Sequence, residues 1–303
     1  MTRSTPAAPV TRCACIDIGS NTTRLLVAEA AAGRLREVVS ERSFTLLGAA
    51  GSAPGAVGED KIGEVAAVVA RQVRIAEQLG AVSVRVVATA AVRTAVDRAA
   101  LASAIDAACG ARLEILDSAD EARLAFAGAT GMLARCPAGL IGVVDVGGGS
   151  TELVAGTHAE GVTWSVSLPL GSAVLTHDEA FSDPPTPAQL ARVRATLGAR
   201  FAAVRAPQPA VAYAVGGSAT SMQRLMGVAL DPPSLARGLQ ALVTRPAAEV
   251  ATRLGLHPDR ARLLPAGILL LDAASRTLGA PLQFAGGGLR EGVVLEQLAG
   301  LQA

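Results

Sequence analysis

Residues 140–154 read LIGVVDVGGGSTELV. An apolar run ends in Asp145. Gly147, Gly148 and Gly149 follow, then Ser150, Thr151 and Glu152, and apolar residues resume. The pattern predicts a strand, a tight turn and a returning strand. Three consecutive glycines let the backbone bend so that successive N–H groups converge on one anion. Ser150 and Thr151 add hydroxyl donors. Asp145 and Glu152 flank the turn, where they suit a divalent cation beside a phosphate, held directly or through water. Two readings are open here: a phosphate cradle with its cation, or a glycine-rich hairpin whose carboxylates cap nearby N–H groups.

A second copy favours the cradle. Residues 15–27 read CIDIGSNTTRLLV. Laid on the central stretch, Asp17 falls on Asp145, Gly19 on Gly147, Thr23 on Thr151 and Leu25 on Leu153. Ser20, Asn21 and Thr22 fall on Gly148, Gly149 and Ser150. Two such hairpins predict two related half-molecules whose turns face one cleft. Residues 147–151 then hold one phosphate, and Ser20, Asn21 and Thr22 the next. Asp17 is the symmetric candidate for the cation. A third turn, Gly216-Gly217-Ser218, follows the apolar run 211–215 and is expected to border the same cleft. Arg24 and Arg290 follow the first and last glycine turns; each is a phosphate ligand or a solvent-facing, ion-paired arginine.

The length of 303 residues suits two domains of about 150 residues each. Half the residues are hydrophobic, while aromatics make up 2%, so packing relies on small aliphatic side chains. A net charge of +1 excludes a molecule that binds nucleic acid through its overall field, so affinity for a polyanion must be local. The four cysteines lack zinc-site spacing and are expected to be reduced and mostly buried. No signal core opens the chain and no apolar run is long enough to span a membrane, so a cytoplasmic protein is expected. The three histidines lie far apart, which gives neither a Ser-His-Asp set nor a histidine metal cluster.

Along the chain, residues 1–12 read as a disordered lead-in and 48–58 as a Gly- and Pro-rich loop. Periodicity predicts a helix over 61–79 and a strand over 82–86 running into Thr89. Arg93 is expected at the start of a helix reaching Cys109. A short strand over 113–116 precedes a helix from Ala119 to about Ala134, capped by Ser118. The second half adds a strand over 162–168, several helices, a long helix over 258–278, a strand over 281–285, the turn 286–288 and a terminal helix.

These motifs, spread in order over nearly the whole chain, resemble the exopolyphosphatase / guanosine pentaphosphate phosphohydrolase family, in its short form without the C-terminal helical domain. The resemblance is carried by DIGSNTTRLLV from Asp17, ATAAVRTA from Ala88, SADEARLAF from Ser118, VDVGGGSTELV from Val144, AVGGSATS from Ala214 and GGGLREGVV from Gly286. It implies an α/β fold of two actin-like (ribonuclease H-like) domains with an interdomain cleft, here divided as 13–133 and 134–303. The implied activity is metal-assisted release of terminal orthophosphate from inorganic polyphosphate, or from guanosine pentaphosphate, with Mg²⁺ or another divalent cation. A binding sensor with little turnover is the alternative of another class. A homodimer is plausible among such relatives.

The resemblance also assigns roles. Glu121 matches the catalytic glutamate of the family's Glu-Glu-Ala-Arg motif, although Asp120 stands where the first Glu is usual and Leu116-Asp117-Ser118 replaces Ile-Ser-Gly. Spacing alone favours reading Ser118 to Glu121 as a capping box, and the resemblance reverses that preference. Arg93 matches an arginine of the family's phosphate site, and Arg123 is placed to position Glu121.

Overall fold

The computed structural model describes residues 11–31, 34–47 and 55–301. The expected lead-in up to residue 10 and residues 48–54 of the expected loop lie outside the described residues. The first half runs β1 (Arg12–Ile18), β2 (Thr22–Ala31), β3 (Arg34–Phe44), α1 (Glu59–Gln78), β4 (Ala81–Ala88), α2 (Ala90–Arg93), α3 (Arg98–Cys109), β5 (Leu113–Ile115) and α4 (Ser118–Gly131). The second half opens with β6 (Ile141–Val146), β7 (Thr151–Thr157), β8 (Gly161–Leu168), α5 (Ser172–Asp178), α6 (Pro187–Ala202) and β9 (Val211–Val215). It continues with α7 (Gly216–Met226), β10 (Ala229–Leu230), α8 (Pro232–Leu242), α9 (Ala247–Leu254), α10 (Pro258–Leu278), β11 (Leu282–Phe284) and α11 (Leu289–Gly300).

The sheet order shows the duplication. One sheet is β3-β2-β1-β4-β5, and the other is β10-β11-β9-β6-β7-β8. In each, three antiparallel strands are followed by two parallel ones. The second sheet adds only the two-residue β10 at its edge, too short to leave a periodic signal.

Alternation along β1 explains the layering. Ala14, Ile16 and Ile18 pack with Val65 and Val69 of α1 and with Leu101 and Ile105 of α3. Cys13 and Cys15 face the other way, onto Val293, Val294 and Leu298 of α11. A strand buried on both faces must be apolar at nearly every position, and Asp17 breaks that rule. In the second sheet, Ile141 and Val143 of β6 pack on Ala122, Phe126 and Ala129 of α4. So α4 and α11 form a layer between the two sheets, each lying against the other half's sheet. A single cut of the chain after residue 133 leaves each half's closing helix packed on its neighbour.

The two helices cross at glycines. A Cβ on Gly292 would overlap the carbonyl oxygen of Leu124, and one on Gly128 would overlap that of Gly288. Backbone cannot rotate aside as a side chain can, so Gly292→Ala is expected to lower unfolding free energy by about 1–3 kcal/mol, toward the upper end. An unchanged urea midpoint would contradict the close crossing.

Two local expectations change. The helix placed over 93–109 is broken: α2 is one turn ending at Arg93, and Asp97 is pinned by the N–H groups of Val57 and Gly58, both at 2.8 Å. The cap of α4 is Asp117, whose carboxylate accepts from Asp120 N at 2.8 Å, rather than Ser118. All four cysteines are free; Cys13 and Cys15 are buried, but Cys109 and Cys136 are partly exposed. Among the described residues no helix is long and apolar enough to cross a membrane.

Candidate active site

The two hairpin turns are built alike. Gly19 N donates to Thr22 O and Gly147 N to Ser150 O, each at 3.0 Å. Their carbonyls are tied back: Gly147 O accepts from Ser172 N, Gly148 O from Ala173 N and Val174 N, and Asn21 O from Thr45 N and Leu46 N. In a planar trans peptide the next N–H points opposite to the carbonyl. Tying back those oxygens therefore turns the N–H groups of Thr22, Gly148 and Gly149 away from the supporting segments. The two tips meet: a Cβ on Gly149 would stand 2.7 Å from Ser20 Oγ, and one on Gly148 would overlap Asn21. A side chain at either glycine would push Ser20 or Asn21 of the facing turn aside.

Between the halves lies a cleft lined by Asp17, Ser20, Asn21, Thr22, Arg24, Glu121, Asp145, residues 147–150, Glu152 and Gly217. Three of the expected phosphate residues stand elsewhere. Thr151 is fully buried and donates to Leu170 O at 2.6 Å. Ser218 is fully buried with its hydroxyl against Gly267 of α10, because Gly216 and Gly217 open α7 and turn it inward. Arg93 lies behind the cleft wall, bonded to Glu121 Oε1 and, at 2.8 Å, to Leu116 O.

Strand register places the acidic groups. Asp145 on β6 is the direct partner of Glu152 on β7. The equivalent pair in the first half is Asp17 and Arg24. The duplicated hairpins therefore carry two acids in one half and an acid with a base in the other. Burial raises the pKa of Asp145 to about 7, helped by the negative charges of Glu152 and Asp17. Burial also raises Glu152 and Asp17. Glu152 accepts from Ser167 Oγ at 2.8 Å, whereas Asp17 Oδ1 is buried without a hydrogen-bond partner.

Glu121 sits in the first turn of α4, 5% exposed, with Arg93 against it. Asp117 holds the helix cap, which frees the Glu121 carboxylate to face the cleft. Burial, then the charge of Glu152, pushes its pKa up to about 8, against the downward pull of Arg93. Arg123 does not position it: that guanidinium turns outward to Asp120 and Glu296.

Arg290 proves buried and lines the cleft, donating to Leu25 O and Ser40 Oγ at 3.3 and 3.2 Å. Arg24 also lines it, and burial lowers its pKa to about 9 with help from Arg290 and Arg42. Two charged lining residues escaped the sequence reading. Glu291 bonds Gly288 N at 2.8 Å. Arg260 lies over Gly217, buried, with its Nε unpartnered. One signal for Arg260 was available: it is a cation in the first turn of α10, where the helix dipole disfavours positive charge.

The donor chemistry suits a hard cation. Asp145, Glu152 and Asp17 offer carboxylate oxygens, one of them buried and orphaned. Among the described residues no three acidic, histidine or cysteine side chains converge into a complete cage. Magnesium, which keeps much of its water and takes one or two carboxylates, fits such a partial set.

Comparison with known proteins agrees with this geometry. The profile of the Ppx/GppA phosphatase family matches residues 26–300. The chain is 32% identical over 294 residues to Exopolyphosphatase 2 of Mycobacterium tuberculosis, covering 89% of this chain and 91% of that protein. It is 28% identical over 303 residues to the guanosine-5'-triphosphate,3'-diphosphate pyrophosphatase of Aeromonas hydrophila, covering 93% of this chain and 58% of that one. The crystal structure of the Aquifex aeolicus Ppx/GppA family member superposes with a TM-score of 0.82 at 27% identity, over 97% of this chain and 100% of that chain. With its duplicated α/β fold and its two facing turns, this chain belongs to the Ppx/GppA phosphatase family.

Proposed function

We propose that the chain is an exopolyphosphatase that releases the terminal orthophosphate of inorganic polyphosphate in the cleft. The observation that supports this most is Glu121, a buried carboxylate that faces the same cleft as both turns and is held from behind by Arg93. The relatives named exopolyphosphatase support the substrate class.

In this reading the N–H groups of Gly148 and Gly149, with Ser150, bind the terminal phosphate, and Ser20, Asn21 and Thr22 bind the next. Arg24 and Arg290 add positive charge beside them. Glu121 orients a water in line with the terminal phosphorus and takes its proton. The new P–O bond forms as the bridging P–O bond breaks, and the shortened chain leaves on the far side. Arg93 fixes Glu121 rather than touching substrate. Asp145 and Glu152, with Asp17 beside them, hold the magnesium, which when bound supplies positive charge to the phosphoryl oxygens.

A second reading, hydrolysis of guanosine pentaphosphate, is favoured by the Aeromonas relative. Against it, Phe284 is the one aromatic ring among the described residues that line the cleft, so a base has little to stack on. Orthophosphate release from each substrate under the same conditions separates the two. A higher kcat/KM for polyphosphate is expected; a higher value for the nucleotide moves the assignment, and binding without release favours a sensor.

A further inference from the structure

Asp17, Arg24 and Arg42 are successive register partners across β1, β2 and β3. Like charges directly opposite on neighbouring strands repel, and among the described residues neither arginine forms a salt bridge. The second half shows that the fold does not require this. At the same three positions β6, β7 and β8 carry Asp145, Glu152 and Ser167. The arginine pair is a property of the first half alone.

The row continues across the cleft. Thr220 of α7 lines it, and Arg224, one turn further on, lies on the same helix face and is exposed. Arg42 stands within electrostatic reach of Arg290 and of Arg224, both from the other half. Phe44, two residues past Arg42 on the same face of β3, stacks on His257 just before α10, with ring centroids 3.7 Å apart and planes 17° apart. Beyond that stack stands Arg260 with its unpartnered Nε. The mouth thus gathers cations from both halves, and none of Arg24, Arg42, Arg224 and Arg260 has an acidic salt-bridge partner among the described residues.

We propose that Arg42 and Arg224 form an outer phosphate subsite, one arginine from each half, that holds the non-reacting phosphates trailing out of the cleft. This rests on the hydrolase reading of the cleft. The ligand is a condensed phosphate, supplied either by a polyphosphate chain or by the 3'-diphosphate of a guanosine nucleotide. A polyanion there offsets repulsion among the arginines and ties the halves together beside the Phe44–His257 stack. Affinity is expected to rise with chain length until the subsite is filled and then level off.

The test uses Arg42→Gln, Arg224→Gln and the double variant of the full chain. Tripolyphosphate, long-chain polyphosphate and guanosine pentaphosphate are compared by KM and kcat. Each single variant should raise KM for the long chain roughly tenfold, as loss of a charged hydrogen bond does, with a smaller effect on kcat and on tripolyphosphate. The same loss with the nucleotide supports the subsite with the 3'-diphosphate as its occupant. An unchanged long-chain KM, or equal losses at every chain length, overturns it. If the wild type turns over nothing, the hydrolase reading fails instead. The subsite is then decided by long-chain polyphosphate binding at several salt concentrations: the arginine variants must bind more weakly with a shallower salt dependence, and wild-type binding in the variants overturns it.

Discussion

Glu121→Gln is expected to lower kcat for orthophosphate release by about 10²–10⁴-fold while substrate affinity changes only a few-fold. The amide keeps the shape of the carboxyl but cannot take a proton from water. Folding should survive, because the amide matches the uncharged carboxyl that burial and the charge of Glu152 favour. The loss of the Arg93 ion pair works the other way, so thermal melting is measured alongside turnover. A pH profile adds an independent reading. With a pKa near 8, Glu121 holds its proton at neutral pH, and only its ionised form can act as a base. Turnover is therefore expected to rise as pH rises through about 8. A bound cation would move that limb to lower pH by favouring the ionised form. Wild-type turnover in the variant would return Glu121 to a structural partnership with Arg93.

The second large effect concerns stability. Asp145→Asn is expected to raise the melting temperature by a few degrees in metal-free buffer at pH 8, while lowering turnover at least about a hundredfold. Asp145 lies buried opposite Glu152, and its folded pKa of about 7 is well above that of an unfolded aspartate. Such a group stabilises the fold fully below its unfolded pKa. That contribution is lost as pH rises from about 4 through about 7, because the native state then binds more protons than the unfolded one. Three pKa units correspond to about 4 kcal/mol as an upper bound. Asparagine removes the dependence. Added magnesium should stabilise the wild type and have much less effect on the variant. A variant that melts lower without metal, yet still responds to magnesium, would make Asp145 a structural residue.

The hairpins were legible because their signals are local. Asp17 and Asp145 each end an apolar run before a turn of small residues, and the register follows from the alternation. What the sequence hid depends on contacts between distant segments. Ser118 reads as the cap of α4, and only the chain's path into the helix puts Asp117 there instead. Thr151 looked like a phosphate ligand, yet it sits one residue from Glu152, so strand alternation turns its hydroxyl to the opposite face and onto Leu170 O. Ser218 follows two glycines but begins a helix that faces α10. Arg42, Arg260 and Glu291 reach the cleft region from three separate elements, and no local pattern announces that convergence. The exchange of α4 and α11 between the sheets is invisible to periodicity, which marks an apolar face but not the sheet that covers it.

The central claim is that the cleft between the duplicated turns performs metal-assisted phosphoanhydride hydrolysis. Its most direct test is orthophosphate release from long-chain polyphosphate by the full chain, measured over a magnesium titration with guanosine pentaphosphate in parallel. Release from polyphosphate that is negligible with chelator and saturates with magnesium is the predicted result. Release unaffected by chelator, or no release from either substrate at any magnesium concentration, would contradict it.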